Sequence, residues 1–408
     1  MAFTTKDSER CRRDFPSLQR LHEGREPVFL DGPGGSQVPG VVIETIADFY
    51  RTCNVNTHGS FPPSREVDRR MNLARETLAA FLGAPGPDTI SFGQNMTTLN
   101  FALSAAIGAT LQAGDEVVIT QLDHEANRGP WLRLQERGAI IREVELRQSG
   151  ELDAADLESK ITPRTKLLAI GASSNALGTV NDIALARRLT RAVGALLIVD
   201  AVHYVPHFPV DVQAMDTDFL LCSGYKFYGP HVGVLYSKPG ALDRLPTLRL
   251  CVQDAAAPYR IETGTLNHAA IDGMRAAVEY IAGWGGGGTL RERIVDALRG
   301  ISDHEHRLAG MYYDSVRRLP GIRVFGPGFA SRARAPTVSI TLEKHTAAEA
   351  ANALGAQGVY VWDGNFYAAR AVECLGLAER GGLLRTGVSM YSTDGDVRRL
   401  LDGMERLV

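Results

Sequence analysis

The sequence is short of cysteine: five residues in 408. Cys11, Cys53, Cys222, Cys251 and Cys374 are scattered, with no Cys-x-x-Cys pair and no Cys/His spacing of a metal site. This argues against a disulfide framework, and no metal is expected. No uninterrupted apolar stretch is long enough to span a bilayer, so no membrane partner is expected. The start, Met1 to Arg13, is charged and lacks the apolar core of a secretory signal; the expected compartment is the cytoplasm. Positive charge is not clustered either, and the net charge is -3, which leaves no footprint for nucleic acid. What remains is ordinary globular composition, 44% hydrophobic and 22% charged, at a length that favours two domains.

Within it, one lysine stands out. Phe219-Leu220-Leu221-Cys222 reads as a buried strand and Gly233-Val234-Leu235-Tyr236 as the next, with Ser223-Gly224-Tyr225-Lys226 and a Gly-Pro turn between them. A lysine between core strands is costly unless paired or used chemically. Upstream, Leu196-Leu197-Ile198-Val199 is a continuous apolar run of the kind a parallel strand shows when covered on both faces, and it ends in Asp200. An acid at one strand end and a lysine beyond a neighbouring one both face the crevice where open α/β sheets bind ligands. Pyridoxal phosphate needs that pair: a lysine to form an imine and a carboxylate to keep the pyridine nitrogen protonated.

The surrounding chain alternates strands and helices. Val67, Met71, Ala74, Leu78, Phe81 and Leu82 recur at helical spacing. Thr89 to Phe92 reads as a strand running into a small, polar turn and a helix; such a turn aims backbone N–H groups at an anion. Strands are also expected at Val117 to Thr120 and Lys166 to Ile170. Asp31-Gly32-Pro33-Gly34-Gly35 is a loop where backbone can approach a ligand. Gly283 to Gly288 reads as a flexible hinge, a long helix follows from about Thr289 to Leu319, and short strands and helices complete a small α+β domain.

Asp200-Ala201-Val202-His203 with Ser223-Gly224-Tyr225-Lys226 resembles the cofactor signature of the class V aminotransferase superfamily, in its cysteine desulfurase-like branch, and the likeness extends over nearly the whole chain. The resemblance implies an α/β, fold-type I pyridoxal 5'-phosphate enzyme. Its large domain, residues 31–288, would hold a mainly parallel seven-stranded sheet; residues 1–30 would form an N-terminal arm and 289–408 the small domain. It implies Lys226 as the imine lysine and later the base, Asp200 on the ring nitrogen, His124 as a catalytic histidine that stacks on the ring and can move protons, and His203, where the family has glutamine, toward the ring oxygen. Asn95, Met96, Ser223 and Thr265 would contact phosphate, Thr265 in the partner subunit of a homodimer with shared active sites. Arg385 would bind the carboxylate of an amino acid substrate, and Asn175 that carboxylate or the ring oxygen.

The same resemblance marks departures. Tyr367 stands where desulfurases carry the cysteine that takes up sulfur, and Trp362 where they carry an arginine. Cys374 lies seven residues further on, in an expected helix from Tyr367 to Leu377. A phenol cannot carry a persulfide, so the expectation is a C–S or related lyase without persulfide relay, with Trp362 and Tyr367 at the mouth. Aminotransferase, epimerase and decarboxylative carbon–carbon bond-forming chemistry remain alternatives, as does a non-catalytic scaffold that keeps the fold.

Overall fold

The computed structural model describes residues 3–330 and 334–408. Seven strands form the large sheet: β1 (Ile90–Gly93), β2 (Glu116–Thr120), β3 (Ile140–Val144), β4 (Thr165–Gly171), β5 (Leu196–Asp200), β6 (Phe219–Ser223) and β7 (Gly233–Ser237). Their order is β1-β7-β6-β5-β4-β2-β3, parallel except for β7, which is antiparallel to both neighbours. The apolar runs become the central strands because both faces are covered. Leu168, Ile170, Leu197, Val199 and Leu220 enter one core, and Leu167, Ala169, Ile198, Phe219 and Leu221 the other. Each such Leu, Ile or Val contributes about 1.5–3 kcal/mol by leaving water.

Helices α1 (Gly40–Thr52), α2 (Pro62–Leu82) and α5 (His268–Ala282) cover the first face, and α3 (Met96–Gly108) the second; α4 (Ile183–Val193) is the crossover from β4 to β5. The long helix α6 (Leu290–Val316) begins at Thr289, whose hydroxyl accepts the Glu292 N–H in a capping box. Its first half packs Ile294, Leu298 and Ile301 on the large core, and its second half packs Leu308, Tyr312 and Val316 on the small one. The glycine run before it differs from the expected hinge. Gly286 and Gly288 donate to Asp296 and Glu292, and a Cβ at Gly285 would stand 2.0 Å from the Arg293 carbonyl oxygen. Glycine there serves close approach of the turn to α6.

The small sheet is antiparallel: β8 (Ile322–Phe325), β9 (Thr337–Leu342), β10 (Trp362–Gly364) and β11 (Leu383–Gly387), in the order β10-β11-β9-β8. Helices α7 (Ala347–Gly355) and α8 (Asp394–Glu405) cover one of its faces. The expected helix from Tyr367 to Leu377 is shorter, Ala369–Cys374. Phe366 and Tyr367 lie in the left-handed region, which stops a helix from starting earlier. Near the N-terminus, Val28–Phe29 pairs in parallel with Val359–Tyr360, and the Gly387 N–H donates to the Leu30 carbonyl. This pairing carries the Asp31 to Gly35 loop to the carboxyl ends of the large-sheet strands.

Candidate active site

The strand register puts Gly171, Asp200 and Leu221 side by side at the ends of β4, β5 and β6. There the chain opens into a cavity of about 590 Å³. Its wall contains Asn95, Met96, His124, Asn175, Asp200, His203, Ser223 and Lys226, eight of the residues singled out from the sequence. Arg385 stands behind Asn175, donating to its carbonyl oxygen at 3.1 Å. Thr265 is not on this wall. It lines a neighbouring cleft that shares Thr98 and His231 with the cavity. Trp362 and Tyr367 are exposed and also off the wall, although Trp362 pairs with Arg385 across β10 and β11 and the Tyr367 ring lies 5.6 Å from His124.

Lys226 is buried, and its amine donates to the carbonyls of Pro33 and, at 3.2 Å, Gly34. Burial, reinforced by the Arg385 charge, pulls its pKa down to about 7. Asp200 accepts the Val202 N–H at 2.9 Å and has no ion-pair partner among the described residues; burial pushes it up to about 7. Burial also holds His124 down at about 4, helped by the Lys226 and Arg385 charges. His124 Nδ1 accepts the Ala126 N–H at 3.0 Å, so the neutral ring carries its proton on Nε2. Arg385 is 2% exposed, its Nε is unpartnered, and its guanidinium lies 4.1 Å from the Phe366 ring centroid; burial lowers its pKa to about 9.

Around this cavity, groups drift toward neutrality because desolvation is not answered by charges of the chain itself. The residues fit pyridoxal phosphate on that ground. A buried carboxylate lacking a cation suits a pyridinium N–H, and a buried amine neutral near pH 7 suits an aldehyde. A buried guanidinium with one carbonyl partner suits a carboxylate.

The phosphate end differs in detail from expectation. Asn95 is the N-cap of α3: its Oδ1 accepts the Thr98 N–H at 2.9 Å. Ser223 Oγ accepts the Met96 N–H at 3.0 Å. Two of the amides expected to meet phosphate are thus engaged, and the Thr97 N–H has no partner among the described residues. The expected donors reduce to Thr97 N–H, the Ser223 hydroxyl and the Asn95 amide NH2. Asn175 Nδ2 donates to the Phe366 carbonyl at 2.9 Å, which ties its loop to the small domain.

Sequence reasoning gave no role to three groups found here. Asp31, pushed up to about 6 by burial, feels both Arg385 and Lys226. Asp123, also raised to about 6 by burial, accepts from Gly171 and Asn127 and adds negative charge near Asp200. His231 stacks on Tyr225, centroids 4.8 Å apart and planes 7° from parallel, beside Met96 to Thr98. For Asp31 a signal existed: an apolar strand ending in an acid, the pattern that exposed Asp200.

The family model Aminotransferase class-V matches residues 28–400. The chain belongs to that family. It is 32% identical to a cysteine desulfurase of Serratia proteamaculans and 33% to one of Enterobacter sp., covering 98% of each chain in both cases. Among solved structures, the cysteine desulfurase CsdA of Escherichia coli superposes with a TM-score of 0.85 at 27% identity, covering 100% of this chain and 98% of that one. An apo cysteine desulfurase of Thermococcus onnurineus gives 0.87 at 26% identity, covering 98% of each. The protein is therefore a pyridoxal phosphate enzyme of the class-V family with the fold-type I architecture, similar to cysteine desulfurases. No helix among the described residues is long and apolar enough to cross a membrane.

Proposed function

We propose that this enzyme is a C–S or related lyase acting on an α-amino acid, and that sulfur does not pass through a cysteine persulfide. The carrying observation is joint: Lys226, Asp200 and His124 share one cavity with Arg385 behind it, and none of the five cysteines lines that cavity. Cys11, Cys53 and Cys222 are buried, and Cys251 is exposed and does not line the cavity. Cys374 is half-buried, donates its thiol to Gln121 Oε1 at 3.3 Å, and is held toward the protonated form by burial.

Bound here, pyridoxal phosphate supplies an electron sink for a bond at the substrate's α carbon. Asp200 holds the proton of the ring nitrogen. Ser223, the Thr97 amide and the Asn95 NH2 hold the phosphate. Lys226 is a base able to hold or move a proton at the α carbon near neutral pH. Arg385 has free donors for the substrate carboxylate, and His124, neutral with Nε2–H, would lie against the cofactor ring. Trp362 and Tyr367 flank the mouth and favour a larger, partly aromatic or apolar side chain over cysteine. The working unit is a homodimer, with Thr265 completing the partner's phosphate site; exposed Leu248, Leu250 and Val252 beside that loop are the apolar surface for it.

The test presents cysteine and bulkier thioether amino acids to the loaded enzyme, measures released thiol or sulfide, and traps persulfide on the protein. The expected result is faster release from a thioether and no persulfide on any cysteine. Persulfide on Cys374, with turnover lost in Cys374→Ser, would contradict the reading.

A further inference from the structure

Behind the cavity lies a buried polar column that the mechanism above does not use. Glu305, on the inner face of α6, is fully buried and its Oε2 meets His207 Nδ1 at hydrogen-bond distance, 2.7 Å; among the described residues its Oε1 has no partner. The His207 ring meets the His203 ring nearly edge-on, centroids 5.1 Å apart and planes at 78°. On its other side His203 Nε2 meets the Thr337 hydroxyl of β9 at 2.9 Å. His203 itself lines the Lys226 cavity, and its Nδ1 is buried without a partner. The column therefore joins α6, the loop after β5 and the small sheet. A buried carboxylate is kept only where a cation or donors answer it, and here the answer is one imidazole set against another.

We propose that Glu305, His207 and Thr337 are positioning residues for His203, fixing its ring and proton so that Nδ1–H is presented to the ring oxygen of the cofactor. The proposal rests on the reading of the cavity as the pyridoxal phosphate site. With Thr337 donating to Nε2, the neutral His203 ring carries its proton on Nδ1. Burial holds the His203 imidazole well below its usual pKa, and the charges of Lys226 and Arg385 act in the same direction, so a second proton on His203 is opposed. Tyr228 and Tyr391 are the other titratable groups facing Glu305, and both are held protonated by burial.

The experiment is a pH titration of the visible absorption of the cofactor-loaded protein. In Glu305→Gln the carboxylate that anchors the His207 ring is lost, His203 no longer holds its proton on the ring oxygen, and the midpoint moves upward, by about half a unit to one unit. In His203→Gln the same Glu305→Gln change adds no shift. Thr337→Val, which removes one hydroxyl, raises the cofactor's dissociation constant roughly 3- to 10-fold by absorbance titration and serves if Glu305→Gln does not fold. A parental midpoint in Glu305→Gln, an equal shift on the His203→Gln background, or unchanged cofactor affinity in Thr337→Val overturns the proposal. Failure of the parent to develop any band with added cofactor defeats the underlying cofactor reading instead, and is seen before a variant is made.

Discussion

Arg75 and Arg385 are both buried, and their guanidiniums meet opposite surroundings. Arg75 grips Glu262 with two bonds of 2.8 and 2.7 Å, and Glu262 Oε1 also accepts the Phe92 N–H at 2.6 Å. Phe92 and Tyr259 lie at 4.8 and 4.9 Å from its guanidinium carbon. Arg385 has a carbonyl oxygen, an aromatic face and an unpartnered Nε. Asp200 repeats the contrast on the acidic side, buried with one backbone donor. The difference separates two uses of buried charge. Where the chain answers a charge fully, as at Arg75, the charge holds the fold; where it leaves the charge open, as at Arg385 and Asp200, the proposed partner is a ligand.

The largest effect that would sharpen this comparison is functional. Arg385→Gln is expected to lower kcat/KM by about 100-fold or more, since the proposed carboxylate clamp is lost, with stability nearly held because its charge is answered only in part, by Asp31. Steady-state kinetics and a thermal melt on the same sample check both halves. Glu262→Ala should show the reverse order, a stability loss of about 3–5 kcal/mol by denaturant unfolding from a buried guanidinium left unpaired. Any functional loss there should follow the folded fraction. If both variants lose mainly stability, the distinction between frame and site fails.

A smaller effect concerns pH. The pKa of Asp200 is raised in the native state, from 3.8 to about 7. Its contribution to the stability of the cofactor-free protein is thus present below about pH 4 and lost as pH rises toward 7. Asp200→Asn should abolish that loss, leaving the cofactor-free variant about 1–3 kcal/mol more stable than the parent at pH 8, with no such gain at pH 4. Lys226 works with opposite sign: its pKa is lowered, so its contribution disappears as pH falls through about 7. Denaturant melts at the two pH values decide. The smallest effect is expected at Cys374: replacement by serine should change turnover less than twofold, as its thiol meets Gln121 outside the cavity.

The central sheet and the Lys226–Asp200 pair were legible because buried parallel strands are written as unbroken apolar runs, and a charge at the end of such a run stands out. The polar turn into helix α3 was legible from its small residues, but not that the Asn95 oxygen would be taken up as the helix cap. What stayed hidden depends on contacts between distant residues. The Lys226 amine rests on a carbonyl 193 residues away, the Arg75–Glu262 clamp spans 187, and His207–Glu305 spans 98. The glycine run before α6 misled because composition reports freedom of the unfolded chain, whereas close packing against Arg293 explains these glycines.

The most direct test of the account is to load the protein with pyridoxal phosphate, reduce it with borohydride, and locate the modified lysine by peptide mass spectrometry. The expected result is a pyridoxyl group on Lys226, and none at that position when the same protein carries Lys226→Ala. Modification at another lysine, or none in a protein shown to be folded, would contradict the claim that this cavity holds the cofactor.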